Sequence, residues 1–541
     1  MSSNMSYMQS EGIVPSGISS AKYLEQAIKL SGDTIALIDD HVELTYHQLY
    51  DSVNNLSAAL LHFGIHKGEK VAILMPNCVE FVVVSQAILN IGAVKVPLHI
   101  NFREVEILTA LHHSEAKAII MASEYGGFSF VELIDRLRPK LPKMEYVIVK
   151  GQSKLDAIPL EQLLFNPTDA KTIVSKYLDD NPVNPDETGA IIYTSGTTGT
   201  PKGVLHSQNN LFKLAYSSNF MREVIAEEVF FGMLPLSSAF GVQYIELCPI
   251  ISRTTLLLLE KFDPEIALKL IDRYQVTSPV GVPTMFIRML KHPNFQKYNV
   301  SSVRNVYLGG AAAPVDMMRD IKEKFGCTIT MTYGASEFGH ATMTQLKDSL
   351  DTICTTSGVP IYGGREVKIA DINGNILPRN SIGEIYVKGF GTTQGYFKDP
   401  ERTKNLVQNG WYHVNDLGIM NDDGYISVVG RSKDMIVRGG NNIYPDEIES
   451  LLYRHPKIAE VSIIGYPDKD LGERTCAYIV PKIGVSTISR DELADFLSEK
   501  VAKYKYPDMI KIVPSFPLTA TGKVQKNKLG KMLLDEMGSQ K

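Results

Sequence analysis

One loop in the first half of the chain carries residue types that bind phosphate groups. The eleven residues 193–203 contain three glycines, five serine or threonine hydroxyls and one lysine, and they follow the apolar run 190–192. Glycine lets successive backbone N–H groups converge on one anion, hydroxyl groups add donors, and lysine adds a mobile positive charge. We therefore interpret the segment as a strand that leads into a phosphate-binding loop. Its candidate nucleotide ligands are Thr194, Ser195, Gly196, Thr197, Thr198, Gly199 and Lys202.

The spacing of this loop differs from that of the common P-loop. The P-loop requires a glycine directly before its lysine, whereas Pro201 precedes Lys202 here. A polar linker is the alternative interpretation, but a linker needs neither a preceding strand nor a Pro-Lys-Gly ending. The other candidate segments therefore decide between the two.

Two further segments carry groups suited to a nucleotide. Small residues follow a predicted strand at Val303–Leu308, and a flat ligand can approach such a backbone closely. The segment 332–337 contains Tyr333, whose ring can stack on a base, and Glu337, whose carboxylate can hold Mg²⁺ near phosphates. Taken alone, each segment is more typical of an ordinary loop.

Three charged residues in the last third of the chain complete the candidate set. Asp416 ends the segment Trp411–Asp416, which holds the only tryptophan of the chain. Asp416 and Arg431, taken singly, are typical of a surface ion pair. Lys523 follows Gly522 on a predicted loop, where a long cation can reach into a cleft.

In order and spacing, these segments resemble the motifs of the adenylate-forming superfamily, which includes acyl- and aryl-CoA ligases, peptide-synthetase adenylation domains and beetle luciferases. The resemblance spans residues 20–530. It implies that Asp416 and Arg431 contact the ribose, with Asn415 in place of the usual glycine. It also implies that Lys523 bridges the carboxylate of the acid and the α-phosphate, and that Glu337 and Thr194 bind Mg²⁺. The remaining nucleotide-binding residues that it implies are Gly310, Ala311, Thr332, Tyr333, Gly334 and Ser336.

The resemblance further implies ATP, Mg²⁺ and CoA as partners in two half-reactions. Lys202, Glu337 and Lys523 are the expected catalytic residues of the first, which joins an acid to AMP and releases pyrophosphate. For the second, the C-terminal domain is expected to rotate about Lys433. This rotation would bring Gly439, Gly440 and Asn442 to a pantetheine tunnel.

The acyl pocket is predicted from the stretch 235–241. Amino-acid-activating relatives have an aspartate where this chain has Ala239, so an α-ammonium group would be buried here without a counter-ion. We therefore expect an apolar fatty or aryl acid. The pocket candidates are Ser238, Ala239, Phe240, Gly241, Gly281, Gly309, Gly334 and Phe338.

The pattern of elements predicts an α/β protein with a large N-terminal and a small C-terminal domain. Predicted strands alternate with helices in residues 45–113 and again in 203–333, as in parallel sheets covered on both faces. Short segments with Asn-Gly and Asp-Gly turns in 356–429 predict a small antiparallel barrel. We expect an N-terminal adenylation domain at 1–432 and a mobile α+β domain at 433–541.

Bulk properties exclude several other classes of protein. The net charge of −5 gives no basic surface for nucleic acid, and no apolar stretch of the sequence reaches the length of a membrane span. Five scattered cysteines without C-x-x-C spacing predict reduced thiols rather than a metal or disulfide framework. We expect a cytoplasmic protein, monomeric or homodimeric, that begins without a signal peptide.

The leading functional prediction is an AMP- and pyrophosphate-forming carboxylic acid:CoA ligase. One alternative is a ligase that passes the same adenylate to the phosphopantetheine arm of a carrier protein. A luciferase-like oxygenase is a further alternative, and the sequence does not test it, because oxygen chemistry on a bound adenylate requires no recognisable motif. A silent nucleotide-binding regulator is the alternative from a different class, but such a protein has no need for Lys523.

Overall fold

Four large sheets organise the protein. The computed structural model describes residues 17–152, 157–164, 169–194, 202–309, 315–439, 441–485, 487–498, 500–518 and 524–539, without the side chain of Asn442. Two sheets of nine and eight strands form the N-terminal part, a five-stranded antiparallel sheet follows, and another five-stranded sheet forms the C-terminal part. The predicted α/β fold class, with its barrel-like element, is therefore confirmed.

The nine-stranded sheet is parallel in its centre and antiparallel at its edges. Its strands are Val359–Pro360, Gly339–Met343, Thr328–Ala335, Asn305–Gly309, Ser278–Gly281, Val229–Gly232, Thr255–Leu258, Ile35–Ile38 and Glu43–Thr45, in spatial order.

The eight-stranded sheet has the same character. Its strands are Gly395–Tyr396, Lys202–Ser207, Thr188–Thr194, Val94–Pro97, Lys70–Leu74, Ala118–Ala122, Tyr146–Lys150 and Ile158–Pro159, in spatial order. The strand Lys202–Ser207 runs antiparallel to Thr188–Thr194, whereas the next pairs are parallel. A two-stranded ribbon, Glu124–Tyr125 with Phe128–Ser129, lies outside this sheet.

Helices cover the two large sheets, and their apolar faces form the main core clusters. They are Ser20–Ser31, Tyr46–His62, Val79–Asn90, Glu104–Ser114, Phe130–Leu137, Leu160–Leu164, Ala170–Asp180, Gln208–Met221, Leu247–Ser252, Pro264–Tyr274, Pro283–Leu290, Val315–Phe325, Leu350–Thr355 and Pro400–Leu406, with a π-helical turn at Gly241–Ile245 and 3₁₀ turns at Arg138–Lys140 and Phe295–Lys297.

Local sequence signals explain several of these boundaries. Thr45 caps the helix Tyr46–His62 with the predicted capping box, in which Gln48 is the reciprocal partner. Within the alternation predicted for residues 45–113, the apolar run Val94–Pro97 is a buried strand and Glu104–Ser114 is the helix that follows it. Terminal polar residues thus set helix ends, while buried apolar runs set the strands.

The antiparallel sheet comprises Glu366–Ala370, Ile382–Lys388, Trp411–Met420, Val407–Gln408 and Ile426–Arg431. Gly424 has φ of +84° in the turn after Trp411–Met420, a conformation that favours glycine. Ile385, Val387 and Ile426 are fully buried in the core of this sheet. The predicted Asp-Gly turn therefore joins two strands of this sheet, and the core of the sheet also includes Tyr333 and Phe338 from the hairpin of the nine-stranded sheet.

The C-terminal part begins beyond the 3₁₀ turn Ser432–Asp434. Its strands are Asn441–Ile443, Ile436–Arg438, Gly472–Pro481, Ile458–Asp468 and Met509–Ile512, and its helices are Pro445–Leu452, Arg490–Leu497 and Lys526–Ser539, with a 3₁₀ turn at Lys503–Lys505. The sequence predicts two short strands, around 461–464 and 476–480. The hairpin 458–481 is longer, because strand pairing extends beyond these apolar residues into the polar residues on either side. The domain limit at 432/433 stays a prediction.

Candidate active site

Two paired strands hold the ends of the predicted phosphate loop. Thr194 ends one strand, Lys202 begins the next, and the two residues are antiparallel partners. Ile191 and Ile192 are buried beneath them, as the apolar run predicts. Ser195, Gly196, Thr197, Thr198 and Gly199 lie outside the described residues.

A chain of three side chains joins the two large sheets beside this loop. The ammonium group of Lys202 lies 5.1 Å from the ring centroid of Tyr396, and the Tyr396 hydroxyl donates a hydrogen bond of 2.7 Å to Oε1 of Glu337. Burial and the neighbouring carboxylate raise the pKa of the Tyr396 phenol, which therefore stays protonated and donates. The candidate catalytic residues Lys202 and Glu337 thus lie around one tyrosine.

Sequence reasoning missed Tyr396. The residue lies on the two-residue strand Gly395–Tyr396, which pairs with Lys202–Ser207. So short a segment has no periodicity, and a tyrosine between polar loops gives no signal of its own. Its partner in space, Glu337, is 59 residues away in the chain.

The backbone around Glu337 has two further contacts. Nε2 of His206 lies 2.6 Å from the carbonyl oxygen of Ser336, and the N–H of Thr393 donates to the carbonyl of Glu337 at 2.6 Å. Burial lowers the pKa of His206 to about 4, so the imidazole is neutral and donates from Nε2 to the carbonyl. These contacts fix the direction in which the Glu337 side chain leaves the backbone.

Asp416 is a buried carboxylate whose partners include Tyr333 and Arg431. It accepts a hydrogen bond of 2.8 Å from the hydroxyl of Tyr333 and lies 3.0 Å from Nε of Arg431. Asp416 and Arg431 are direct partners on neighbouring antiparallel strands, so the sheet register brings them together. Burial, and next the Asp416 carboxylate, raise the pKa of Tyr333 well above its usual range.

Asn415 explains how the chain tolerates a departure from the glycine of the resemblance. Its φ is +62°, in the left-handed region where asparagine is several-fold enriched among non-glycine residues. The segment before Asp416 therefore keeps the conformation that glycine would supply.

Thr332 and Gly334 have structural duties in addition to their predicted ones. Oγ1 of Thr332 donates to the carbonyl of Thr342 on the next strand at 2.8 Å. A Cβ built on Gly334 would lie 2.2 Å from the carbonyl oxygen of Gly339, so only glycine fits this hairpin. Gly310 and Ala311 lie outside the described residues.

The predicted hinge residue lies close to the nucleotide-binding candidates. Burial lowers the pKa of Lys433, and the nearby cations Arg431 and Lys202 lower it further against the opposing effect of Asp434. Lys433 is exposed and lies in the 3₁₀ turn between the antiparallel sheet and the C-terminal sheet. Its role as the hinge stays a prediction.

The residues predicted for CoA lie at a hairpin of the C-terminal sheet. Gly439 has φ of +55° and donates its N–H to the carbonyl of Leu471. Gly440, and the side chain of Asn442, lie outside what the structure describes. Lys523 also lies outside it, but a bridge between Leu518 and Val524 pairs the residues that flank 519–523.

The predicted acyl residues fall into two groups. Ser238 caps the following turn, because its hydroxyl donates to the carbonyl of Pro235 and accepts from the N–H of Gly241. Phe240 and Ala239 pack partly buried against the main core. Phe338, by contrast, is fully buried in the barrel core with Tyr333, and we leave it out of the pocket.

The remaining glycines mark strand ends near Phe240. Gly309 ends one parallel strand and Gly281 ends the neighbouring one. A Cβ on Gly281 would lie 3.1 Å from both Met233 and Phe286, so its surface is apolar. The two strand ends and Phe240 thus outline the candidate acyl pocket.

Comparison with known proteins agrees with this geometry. Residues 24–397 match the family model described as AMP-binding enzyme, and residues 447–523 match the AMP-binding enzyme C-terminal domain. This chain belongs to the AMP-binding enzyme family. The family uses ATP with Mg²⁺ and has CoA as a co-substrate.

Relatives of this AMP-binding enzyme include ligases of fatty and aromatic acids. The medium-chain fatty-acid–CoA ligase of Escherichia coli K12 is 32% identical over 521 residues, covering 95% of this chain and 90% of the relative. The structure of the anthranilate CoA ligase AuaEII with anthranoyl-AMP has a TM-score of 0.85 and 25% identity, covering 96% of this chain and 98% of that one. o-Succinylbenzoate CoA synthetase of Bacillus subtilis, with its acyl-adenylate, has a TM-score of 0.80 and 27% identity, with coverages of 95% and 98%.

The side chains present fit Mg²⁺ with a nucleotide. Mg²⁺ prefers oxygen ligands and is usually held by one or two carboxylates plus substrate phosphates, and Glu337 offers such a carboxylate. Among the described residues, no three His, Cys, Asp or Glu side chains are grouped to hold a metal alone. Nor, in those residues, is any helix both long and apolar enough to cross a membrane.

Proposed function

We propose that this AMP-binding enzyme is an ATP-dependent carboxylic acid:CoA ligase that forms AMP and pyrophosphate and acts on a fatty or aryl acid. The arrangement of Lys202, Tyr396 and Glu337 carries the proposal. It places a cation and a carboxylate at the rim of the phosphate loop, on two different sheets. Such a pair suits a phosphate chain with its metal better than it suits a bare anion.

The proposed first half-reaction makes the acid reactive. A carboxylate is a poor electrophile, and attack of its oxygen on the α-phosphorus gives a mixed anhydride with AMP as a good leaving group. The loop 194–202 would hold the β- and γ-phosphates, with Lys202 as the mobile charge. Glu337 and Thr194 would hold Mg²⁺, which when bound supplies positive charge to the phosphate groups.

The nucleoside would be held by the barrel. Asp416, kept in place by Tyr333 and Arg431, would accept hydrogen bonds from the ribose hydroxyls. Lys523 would bring the carboxylate of the acid against the α-phosphate, where negative charge builds during attack. Gly310, Ala311 and Ser336 would complete the nucleotide site.

The second half-reaction would transfer the acyl group to a thiol. A free thiol has a pKa of about 8.5, so it needs only modest activation to attack the adenylate. Rotation about Lys433 would withdraw Lys523 and present Gly439, Gly440 and Asn442 to the pantetheine arm. A domain limit at 432/433 and a cytoplasmic location belong to the same proposal.

The decisive experiment is pyrophosphate release from MgATP with straight-chain, aryl and amino acids, with and without CoA. We expect release that depends on fatty or aryl acids and rises when CoA is added. Release without stimulation by CoA would indicate a carrier protein as the acceptor. No release with any acid would support the silent nucleotide binder instead.

A lysine variant separates the two half-reactions. Lys523→Ala should slow adenylate formation by about 10²-fold or more, because one transition-state contact is lost. The variant should still convert a supplied acyl adenylate to the thioester. Lys528→Ala, which alters an exposed lysine of the following helix, is the matched control and should keep both rates. Equal loss of both half-reactions in Lys523→Ala would contradict a catalytic role.

A further inference from the structure

Phe240 covers the strand end at which the acyl pocket is expected to begin. A Cβ built on Gly309 would lie 2.8 Å from Cε2 of Phe240 and 2.9 Å from Cγ2 of Thr332. The phenyl ring therefore touches the backbone at the end of the strand Asn305–Gly309. An acyl group passing Gly309 would meet this ring first.

Three buried aromatic side chains lie behind Phe240, and with it they form what we name the aromatic floor: Phe240, Tyr244, Tyr307 and His340. The ring centroids of Tyr244, Tyr307 and His340 lie 5.3, 5.5 and 5.2 Å from that of Phe240. These three side chains are 2%, 0% and 3% exposed. Among the described residues, three buried rings therefore pack directly against Phe240.

Hydrogen bonds hold the aromatic floor together. The imidazole of His340 stacks on the ring of Tyr244, with 3.2 Å between the ring centroids. The backbone N–H of His340 donates to the Tyr244 hydroxyl at 2.6 Å. The Tyr307 hydroxyl is bonded to Nδ1 of His340 at 2.5 Å. Pushing a ring aside would break buried hydrogen bonds and leave polar groups unpaired, which is unfavourable.

The charges around the aromatic floor are positive. The guanidinium of Arg222 lies 4.5 Å from the Tyr307 ring centroid, and Arg365 donates to the carbonyl of His340 at 3.0 Å. Burial lowers the pKa of His340 well below its usual range, and these two cations lower it further. His340 is therefore neutral, and the charged groups beside these rings are the guanidinium groups of Arg222 and Arg365. The buried carboxylate of Glu228 interacts with Arg222 and is paired with Arg304, so a substrate ammonium group would find no unpaired counter-ion in it.

We propose that the aromatic floor sets the substrate class: a compact acid, either a short aliphatic chain or a single aromatic ring, without an amine on its far end. The inference rests on the proposed function, because it concerns the acid that this site would activate. The inference narrows the fatty or aryl acids of the proposed function to compact ones, because a medium or long alkyl chain would have to displace Phe240 and the hydrogen-bonded rings that pack against it.

The first test measures kcat/KM for pyrophosphate release from the full-length enzyme with a graded set of acids. Butanoate, hexanoate and benzoate should each exceed dodecanoate and hexadecanoate, by at least about 10-fold, since one methylene in a fixed pocket is worth 10- to 200-fold. 6-Aminohexanoate should be turned over more slowly than hexanoate. Equal or better turnover of dodecanoate would overturn the inference.

Two variants test which residues set the limit. Phe240→Leu and Tyr244→Leu remove ring volume, and each should raise the ratio of dodecanoate to benzoate turnover by about 10-fold or more. Phe130→Leu makes the same change in a fully buried phenylalanine of a different core cluster and should leave the ratio unchanged. The ratio is internal to each variant, so partial loss of stability affects both acids alike.

The outcomes separate this inference from the proposed function. Acid-dependent pyrophosphate release with an optimum at long chains keeps the function and overturns the floor. An unchanged ratio of dodecanoate to benzoate turnover in both Phe240→Leu and Tyr244→Leu would also keep the proposed function and overturn the role of the aromatic floor. No release with any acid overturns the function itself.

Discussion

The Asp416 side chain is buried, and its carboxylate contacts the phenol of Tyr333 and the guanidinium of Arg431. The Tyr333 hydroxyl donates to Asp416 and the Arg431 guanidinium pairs with it, so the direction of the carboxylate is fixed. A carboxylate in this state needs little reorganisation to accept hydrogen bonds from a diol. The residue therefore combines a structural tie with the proposed contact to ribose.

The first prediction concerns that contact. Asp416→Asn should lower kcat/KM for ATP about 10- to 100-fold, because a hydrogen bond to a charged group is worth about 1.5–3 kcal/mol. Initial rates at saturating acid, with ATP varied, measure the change. Asp423→Asn, an exposed turn residue of the same barrel, is the control. An unchanged KM for ATP in the Asp416 variant would argue against the ribose contact.

Residue types at this scale were predictable, whereas their contacts were not. Sequence reasoning identified Asp416, Arg431, Glu337 and Lys202 by type and order. It did not find Tyr396, because the link from Lys202 to Glu337 depends on a two-residue strand at the edge of a sheet. Local patterns carry no information on which distant loops a sheet edge brings together.

At the scale of elements, a partly buried lysine helps to tie the last helix to the rest of the C-terminal domain. Lys526, the first residue of Lys526–Ser539, lies 3.2 Å from Asp446 and 2.8 Å from Glu449 on the helix Pro445–Leu452. Glu449 also accepts from the N–H of Ile463. The tie starts three residues after the predicted catalytic lysine.

Lys526→Met should therefore loosen this helix. Removing one partner of a buried ion pair leaves a carboxylate uncompensated and costs about 3 kcal/mol. Hydrogen exchange of the amides in 526–537 should show a matching fall in local opening energy. Lys531→Met, an exposed lysine of the same helix, should change exchange little. Equal protection in both variants would show that Lys526 contributes nothing to the tie.

Element boundaries followed from the sequence where a local device sets them. The capping box at Thr45 and the buried run at Val94–Pro97 are such devices. The hairpin 458–481 was underestimated, because strand pairing across its two arms extends it past the apolar residues that mark its centre. Pairing over that distance is a tertiary effect.

For the molecule as a whole, buried histidines that stay neutral make stability depend on pH, and His99, His206 and His340 are three of them. Burial lowers the pKa of His99 and of His206 to about 4, from an ordinary 6.5. Between pH 6.5 and about 4, these histidines are protonated in the unfolded chain but not in the folded protein. The free energy of unfolding therefore decreases as the pH is lowered through this range. The loss is about 1.4 kcal/mol per pH unit for each histidine.

Calorimetry between pH 4.5 and 8 should therefore show uptake of protons on unfolding that is absent above about pH 7.5. His206→Gln keeps an amide donor for the Ser336 carbonyl and should reduce this uptake by about one proton at pH 5. The same uptake in variant and wild type would show that His206 is protonated in the folded protein.

The pairing of Thr194 with Lys202 has an entropic consequence. Closing a loop costs a chain the freedom of its two ends, and here the eight-stranded sheet has already joined them when the protein folds. Binding of a nucleotide at this loop, as proposed, therefore need not bring the two ends together, and more of the interaction energy remains for affinity.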